Sequence, residues 1–260
     1  MALNGYPYLL FYLGEEIYAL SAEFVREMIL APSVSALPGT AADIRGVINL
    51  RGKVVQIVDL RLRLGMQSLS EELQAFDDML QQRKQEHVHW LEELEACIRE
   101  KRDFRLATNP HECNFGRWYY SFKTNNALLA KYLPRFESPH DAIHGTASEA
   151  IAALHAGHTE QALAIVEGKR NNELAEVLKI FDNVMQVLRE TNTEIAVVLI
   201  SNGKPAAITV DRVLSVEHLP PENLQDPPDV FAGSRHILKI GRRKSDELVS
   251  VLDPDSLTAG

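Results

Sequence analysis

The hydrophobic pattern of this chain changes twice, and this change limits the possible folds more than any other feature of the sequence. Apolar residues lie in short runs up to about residue 66 and again after residue 193, whereas between them they recur in steps of three and four. Short apolar runs bounded by turn residues indicate strands, and the three-four spacing indicates amphipathic helices. The sequence therefore predicts two β-rich ends separated by a helical segment.

The N-terminal flank predicts a hairpin followed by a further strand. Apolar runs at 8–13 and 17–20 lie on either side of Gly14, which is typical of a β-hairpin. A β-branched run at 54–60 indicates another strand.

A short helix is expected between these strands. The hydroxyl of Ser21 can cap a helix that carries Val25 and Glu27. Pro32 and Pro38 then indicate a loop, because proline interrupts regular hydrogen bonding.

Three amphipathic stripes indicate helices in the middle segment. The helix of the second stripe is expected to begin with Ser138 as N-cap and Pro139 as first helical residue. Helices joined by short loops can bury their stripes only against each other, so residues 67–190 should form a bundle. The stripes consist of Leu73, Phe76, Leu80, Arg83, His87, Trp90, Leu94 and Cys97; of His140, Ile143, His144, Ala147, Ile151 and Leu154; and of Leu174, Val177, Phe181, Val184 and Leu188.

Strand signals return in the C-terminal flank. Runs at 195–200 and 206–216 enclose Asn202-Gly203, a strong hairpin signal, and a last strand is expected at 248–252. Neither flank alone has enough strands for a stable barrel or sandwich.

These patterns together predict a multidomain α and β protein. Residues 1–66 and 191–260 should form one β-domain, interrupted by a helical bundle at 67–190. Three independent pieces in a row are the less favoured alternative.

Charge and composition exclude several classes of function. The formal net charge is -9, so the positive field that attracts proteins to nucleic acids is missing. No run of 18 uncharged apolar residues occurs, and no basic segment precedes the first apolar stretch, so we expect neither a membrane span nor a signal peptide. The expected location is the cytoplasm. Only two cysteines are present, which argues against a disulfide framework.

Histidine and cysteine are concentrated in the helical segment. Seven of the nine histidines and both cysteines lie between His87 and His158. Zinc prefers these side chains, and a bundle can supply them from facing helices. His140 and His144 are four residues apart, which places both imidazoles on one face of the predicted helix. That pair alone is weak evidence, since many helices carry two histidines at this spacing.

The remaining candidate ligands differ in their positions relative to the apolar stripes. His87 belongs to an apolar stripe, so its ring nitrogens need a metal ion or ordinary hydrogen-bond partners, whereas His89 lies off the stripe and should face solvent. Cys113 would be the strongest ligand and would lose its proton on binding. Cys97 is expected to be a small buried hydrophobe. Three histidines fall in predicted loops and should be solvated: His111, His155 and His158.

The helical segment resembles the chemoreceptor zinc-binding domain, abbreviated CZB, over roughly residues 70–190. The motifs that carry the resemblance are His87-Val-His-Trp90, Cys113-Asn-Phe-Gly-Arg-Trp118 and His140-Asp-Ala-Ile-His144. The resemblance implies one Zn²⁺ held by His87, Cys113, His140 and His144, and a bundle that forms homodimers. It also implies two possible inputs, zinc itself and oxidation of Cys113 by hypochlorous acid.

The two flanks resemble CheW, the adaptor that couples chemoreceptors to the histidine kinase CheA in bacterial signalling arrays. The resemblance implies a pair of small β-barrels without a catalytic site, and it places Val25, Glu27, Gly46 and Arg51 on a receptor-binding face. The insertion near Gly65 departs from the usual pattern and could obstruct a partner. The matching segments are Phe11-Tyr-Leu-Gly-Glu-Glu-Ile-Tyr-Ala-Leu20, Val25-Arg-Glu27, Gly46-Val-Ile-Asn-Leu-Arg-Gly52, Val58-Asp-Leu60 and Val210-Asp-Arg-Val213.

Three functions follow from these features. The favoured one is a non-enzymatic adaptor in which the zinc site adjusts how the β-domain engages the receptor and the kinase. An adaptor with a purely structural zinc is the second. A zinc hydrolase is the least favoured, because four candidate ligands leave no open position for water and no His-Glu-x-x-His motif occurs.

Overall fold

The chain forms two compact units. The computed structural model describes residues 7–124, 126–201, 203–228 and 235–258. One unit combines the chain up to Glu72 with the chain from Asn192 onward, and the other is Leu73–Thr191. The first unit contains the strands and the second is helical. The prediction of a β-domain interrupted by a helical segment is therefore confirmed.

The β-unit contains two mixed sheets. The six-stranded sheet has the order β8-β1-β2-β11-β10-β9, and the five-stranded sheet has the order β3-β6-β7-β5-β4. Within the described ranges neither sheet closes on itself, so the predicted pair of β-barrels takes the form of two open, mixed sheets. The strands are β1 Tyr8–Leu13, β2 Glu16–Ser21, β3 Val25–Leu30, β4 Ile44–Leu50, β5 Lys53–Asp59, β6 Ile195–Ser201, β7 Lys204–Val210, β8 Arg212–Glu217, β9 Leu224–Gln225, β10 Ile237–Arg242 and β11 Leu248–Leu252.

Each sheet is built from strands of both flanks. Strand β1 pairs with β2 on one side and with β8 on the other, and β3 pairs with β6. Two parallel pairs, β2 with β11 and β5 with β7, also join an N-terminal to a C-terminal strand. The shared core between the sheets contains Leu9, Phe11, Val58, Val197 and Ile208, all buried.

The segment after Ser21 is a strand rather than the predicted short helix. Ser21 Oγ donates to Glu23 Oε1, and β3 follows after a tight turn. Its residues alternate between half-buried and exposed, and Val25 lies opposite Leu199 of β6. The cross-strand pairing outweighs the local capping signal, which a single sequence does not reveal.

In the C-terminal flank, one predicted strand is interrupted, and part of the predicted hairpin lies outside the described residues. The run predicted at 206–216 is broken at Asp211, which separates β7 from β8. The paired strands β6 and β7 join Ser201 to Lys204, as the hairpin signal required, although Asn202 itself lies outside the described residues. Strands β9 and β10 and a short helix after β11 were not predicted.

The helical unit contains the predicted bundle. The second stripe begins its helix at Glu137, not at Ser138, because a 3₁₀ turn over Leu133–Phe136 leads directly into it. Pro139 is tolerated within the first turn, where its missing N–H would have no helical partner. The helices of the chain are α1 Leu60–Arg63, α2 Leu69–Glu100, α3 Asn114–Ser121, α4 Ala127–Tyr132, α5 Glu137–His155, α6 Thr159–Lys169, α7 Ala175–Thr191 and α8 Pro254–Thr258.

The helices bury their stripes in one core. Leu94, Ile143 and Phe181 are buried there, as the spacing predicted, and Phe136 joins them. A single π-turn at Arg170–Leu174 joins α6 to α7. Among the described helices, none is long and apolar enough to cross a membrane.

A buried arginine organises the polar part of the β-unit. The Arg61 side chain is 4% exposed, and its Nε and Nη2 donate to the two carboxylate oxygens of Asp211 at 2.8 and 2.6 Å. Asp211 Oδ2 also accepts the backbone N–H of Gly14 at 2.7 Å. Arg61 Nη1 pairs with Glu72 in the first turns of α2. One carboxylate thereby holds the β1–β2 turn and the start of α1 together.

We predict that Asp211→Asn destabilises the β-unit by about 3 kcal/mol, because removing one partner of a buried ion pair leaves the other charge poorly compensated. Urea unfolding followed by circular dichroism measures the change. The matched control is Asp246→Asn, which alters an exposed pair with Arg242 whose side chains are 60% and 82% exposed. An exposed pair contributes less than about 1 kcal/mol, so equal effects of the two substitutions would contradict the prediction.

Candidate metal centre

The four predicted ligands come from three helices of the helical unit. His87 lies on α2, Cys113 is the N-cap residue of α3, and His140 and His144 lie one turn apart on α5. One nitrogen from each histidine and the cysteine sulfur all lie within 4.8 Å of one another. Cys113 Sγ is 3.3 Å from His140 Nε2. The structure therefore brings together all four residues that the sequence indicated.

Aromatic rings surround the cluster and remove it from water. The three imidazoles are at most 3% exposed, and Cys113 is half-buried. The ring of Phe115 is 5.0 Å from that of His140, and the ring of Trp90 is 5.0 Å from that of His144. Such surroundings favour uncharged imidazoles, which is the form that binds metals.

Two of the imidazoles are oriented by backbone carbonyls. His87 Nδ1 lies 2.6 Å from the carbonyl oxygen of Arg83, and His144 Nδ1 lies 3.1 Å from that of Ala107. Only a protonated nitrogen can donate to a carbonyl, so both bonds assign the proton to Nδ1. The lone pair of Nε2 is then left for another partner on each ring.

Three buried imidazole nitrogens have no hydrogen-bond partner among the described residues. They are Nε2 of His87, Nε2 of His144 and Nδ1 of His140. Leaving a buried polar atom unpaired costs about 1–3 kcal/mol, so three in one cluster need an explanation. A metal ion at the centre of the cluster would supply one for Nε2 of His87 and Nε2 of His144, since it accepts nitrogen lone pairs directly.

The acid-base properties of the cluster agree with a cation site. Burial, followed by the charge of the neighbouring imidazoles, lowers the pKa of His140 to about 3. The same two causes lower the pKa of His144 to about 4, and burial lowers that of His87. Burial raises the pKa of the Cys113 thiol. A divalent cation would reverse this last effect, because it stabilises the thiolate.

The donor set fits zinc. Three imidazole nitrogens and one thiolate sulfur form a common tetrahedral set for a structural Zn²⁺, at metal-ligand distances of about 2.0–2.3 Å. The four atoms are close enough to reach one ion after small side-chain rotations. The other cysteine, Cys97, is 2% exposed, and its sulfur lies 2.8 Å from Arg102 Nη1. The histidines expected to be solvated are all exposed: His89, His111, His155 and His158.

The carbonyls that orient the imidazoles were not identified from the sequence. Arg83 is four residues before His87, so helical geometry could have indicated its carbonyl as an acceptor. Ala107 lies in an irregular segment between α2 and α3, and its side chain carries no chemical signal. Backbone acceptors of this kind become visible only when the chain is folded.

Gly116 allows the Cys113 segment to lie close to the chain before it. A Cβ atom at Gly116 would lie 1.8 Å from the carbonyl oxygen of Pro110. The Gly116 N–H also donates to Cys113 Sγ at 3.1 Å. Any residue with a side chain would therefore clash with the backbone at the glycine position of the Cys-x-Phe-Gly motif.

The four residues expected on a receptor-binding face have different surroundings. Arg51, whose side chain is 81% exposed, donates through Nη2 to Glu27 Oε2 at 2.7 Å. Val25 packs partly against the core between the sheets. Gly46 is buried with a φ of 136°, and a Cβ atom there would lie 2.1 Å from the carbonyl oxygen of Ser35. Arg51 and Glu27 can therefore contact a partner, whereas Gly46 has a structural role.

We predict that Gly116→Ala destabilises the helical unit by about 3 kcal/mol, because the new methyl group forces Pro110 and the Cys113 segment apart. Thermal unfolding and the rate of Cys113 alkylation by iodoacetamide measure this. The control is Gly145→Ala on α5, where a Cβ atom would contact nothing within 4 Å. Alanine is favoured over glycine in a helix by about 0.5–1 kcal/mol, so this variant should be slightly stabilised. A stable Gly116→Ala protein would contradict the steric argument.

Comparison with known proteins gives two family matches. A CheW-like domain matches residues 7–84 and 174–260, and a chemoreceptor zinc-binding domain matches residues 87–151. All four clustered ligands lie within the second match.

Curated relatives match over shorter stretches. The chemotaxis protein CheW of Klebsiella aerogenes is 38% identical over 66 residues, which are 25% of this chain and 40% of that protein. The chemotaxis protein CheW of Treponema pallidum is 31% identical over 74 residues, which are 28% of this chain and 44% of that protein. The chain thus spans less than half the length of these relatives.

A solved structure can be superposed on the whole chain at low similarity. The crystal structure of the scaffolding protein TtCheW from Thermoanaerobacter tengcongensis gives a TM-score of 0.47 at 14% identity, covering 98% of this chain and 93% of that chain. The family assignment therefore depends on the domain matches. Because the CheW-like match covers well over half of the chain, the chain belongs to the CheW-like family and carries a chemoreceptor zinc-binding domain inserted between the two parts of that match.

Proposed function

We propose that this protein is a non-enzymatic chemosensory adaptor whose inserted helical unit binds one zinc ion through His87, Cys113, His140 and His144. The observation that carries the proposal is the buried cluster of three imidazoles and one cysteine sulfur, in which Nε2 of His87 and Nε2 of His144 have no hydrogen-bond partner among the described residues. The match of the same segment to a zinc-binding domain supports it. Bound zinc would hold the thiolate form of Cys113 and stabilise the packing of α2, α3 and α5.

The cysteine makes the site sensitive to oxidants in this proposal. A zinc-bound thiolate that is only half-buried can meet a small oxidant such as hypochlorous acid. Sulfur gains an oxygen atom and becomes a sulfenic acid, and chlorine leaves as chloride after accepting two electrons. Sulfenic sulfur is a weaker ligand, and three neutral imidazoles alone hold zinc less well. Zinc concentration and oxidation are therefore the two proposed inputs.

The β-unit is the proposed output. The CheW-like match supports a role in coupling chemoreceptors to a CheA-type histidine kinase, and hence a place in cytoplasmic receptor arrays. Arg51 and Glu27 form an exposed ion pair at the proposed receptor-binding face. Val25, which is half-buried, also belongs to that face in the proposal, and the buried Gly46 supports it only through its backbone conformation.

We also propose that the helical units associate as a homodimer. The helical unit exposes Leu128 and Tyr120, whose exposed fractions are 51% and 40%. Dimerisation would cover such side chains. Sedimentation equilibrium of the purified chain measures the association directly.

The same cluster could support two other functions. A purely structural zinc would use the same four ligands without any change in output. A zinc hydrolase needs an open coordination position for water, and four protein ligands fill a tetrahedral ion. The geometry therefore supports a sensing or structural ion over a catalytic one.

We predict that Cys113→Ser lowers zinc affinity at least about 10-fold, since even changes beyond the direct ligands have effects of that size. The variant should also show no response to hypochlorous acid, whereas the wild type should release zinc. Metal analysis of the purified chain and a chromogenic zinc indicator give both values. Cys97→Ala is the matched control, because Cys97 lies outside the cluster. Unchanged zinc content in Cys113→Ser would refute the ligand assignment.

Removal of zinc should distinguish a sensing ion from a structural ion. If the ion senses, chelation changes the affinity for a receptor fragment or for the kinase while the β-unit keeps its circular dichroism and its unfolding midpoint. A structural ion predicts a general loss of stability instead. Calorimetric binding titrations and denaturant unfolding of the full chain, with and without chelator, measure the two properties on the same samples.

We predict that Arg51→Glu weakens binding to a receptor cytoplasmic fragment, because it places two like charges side by side at Glu27. The stability of the protein should change by less than about 1 kcal/mol, since Arg51 is exposed. Arg242→Glu, which alters another exposed ion pair, is the control. Equal receptor affinity of the two variants would remove Arg51 from the proposed face.

A further inference from the structure

One backbone carbonyl in the helical unit accepts two buried side-chain donors. The carbonyl oxygen of Ala107 lies 2.8 Å from Trp90 Nε1 and 3.1 Å from His144 Nδ1. Trp90 is 5% exposed and His144 is 2% exposed. The two rings are also in contact, with centroids 5.0 Å apart. A tryptophan and a candidate ligand from different helices thus share one acceptor.

The segment that carries this carbonyl has little regular structure of its own. Residues 101–113 connect α2 to α3 and contain no helix or strand. Such a segment needs side-chain contacts to keep a fixed position. Trp90 provides a hydrogen bond and a ring contact. Its indole N–H donates to the carbonyl oxygen of Ala107, and its ring packs edge-on against Phe104 with the ring centroids 5.0 Å apart.

The position of the Ala107 carbonyl decides which nitrogen of His144 is available. An acceptor at Nδ1 fixes the proton there and orients the ring, so that Nε2 presents its lone pair to the cluster. If the carbonyl moved, both the tautomer and the ring angle of His144 would be free to change. Even a small change in the orientation of His144 would weaken metal binding, because a metal site requires its ligands to be held closely in place.

We propose that Trp90 is a positioning residue for the metal centre: its indole N–H holds the Ala107 carbonyl, and the carbonyl in turn holds His144 with Nε2 directed to the metal. The inference rests on the proposed zinc-binding function. Trp90 does not need to touch the ion. Its effect passes through one backbone group, and the indole N–H is the atom responsible.

The alternative is that Trp90 only fills space in the core. Phenylalanine keeps a large apolar ring but has no donor, so Trp90→Phe tests the N–H more than the packing. The chain offers a matched control in its other tryptophan, because Trp118 packs by its ring on Phe76 and Phe122 at 5.6 and 4.7 Å. Trp118→Phe makes the same chemical change away from Ala107.

The experiment compares the full-length wild type, Trp90→Phe and Trp118→Phe. Each is loaded with zinc, and the rate of zinc transfer to a chelator in excess is followed by absorbance. Each is also loaded with Co²⁺, whose visible spectrum reports the geometry of the ligands. We expect Trp90→Phe to release zinc about 10-fold faster and to shift the Co²⁺ bands, as loss of a group that orients a metal ligand does. Trp118→Phe should match the wild type in both measurements.

A wild-type rate and spectrum for Trp90→Phe would overturn the inference. If that variant does not fold, the test is made in Trp118→Phe protein that contains benzothienylalanine in place of its remaining tryptophan. This analogue keeps the bicyclic shape and replaces the indole N–H by sulfur, and wild-type zinc release from it would also overturn the inference. If the wild type itself binds neither zinc nor Co²⁺, it is the proposed function that fails.

Discussion

The arrangement of the helical unit depends on the burial of three imidazoles and a thiol at one point. Hydrophobic packing alone would bring the stripes of α2, α5 and α7 together, but it would not place ligand atoms of three imidazoles and a thiol within 4.8 Å of one another in an aromatic core. Nitrogens of His87, His140 and His144 without partners among the described residues make the cluster unfavourable unless something accepts them. A cation is the simplest acceptor. The packing of this unit and the proposed metal binding therefore depend on the same four side chains.

In the β-unit, by contrast, the buried charge of Arg61 has protein partners. Arg61 is compensated within the unit by Asp211 and Glu72, and Asp211 is further bonded to the Gly14 backbone. These groups pair with each other without any ligand, so they can hold the β1–β2 turn and α1 in place by themselves. The imidazoles of the helical unit carry ring nitrogens without a partner among the described residues, whereas Arg61 of the β-unit is paired with two carboxylates. The proposed sensing role of the helical unit and the proposed scaffolding role of the β-unit agree with this contrast.

Much of the fold and of the site could be predicted from the sequence, for physical reasons that also explain the exceptions. His87 could be placed at the cluster because a three-four repeat fixes the face of a long helix. The strand at Val25 was missed because its partner, Leu199, is far away in sequence, whereas the capping signal of Ser21 is local. Asp211 interrupts an apolar run because it pairs with the buried Arg61, and this pairing is visible only in the folded chain. The Ala107 carbonyl belongs to the backbone, which every residue shares, so side-chain identity could not indicate it.

The division of both sheets between the two flanks has a consequence for biosynthesis. Strand β1 needs β8, β3 needs β6, and β5 needs β7, so the sheets cannot be completed until the C-terminal flank has left the ribosome. The inserted helices pair mainly with near neighbours and emerge earlier, and contacts that are local in sequence form quickly. The nascent insertion can therefore fold while the first five strands still lack their C-terminal partners. During that interval the exposed edges of these strands are open to mispairing, and a rapidly formed helical unit shortens the effective loop between the flanks.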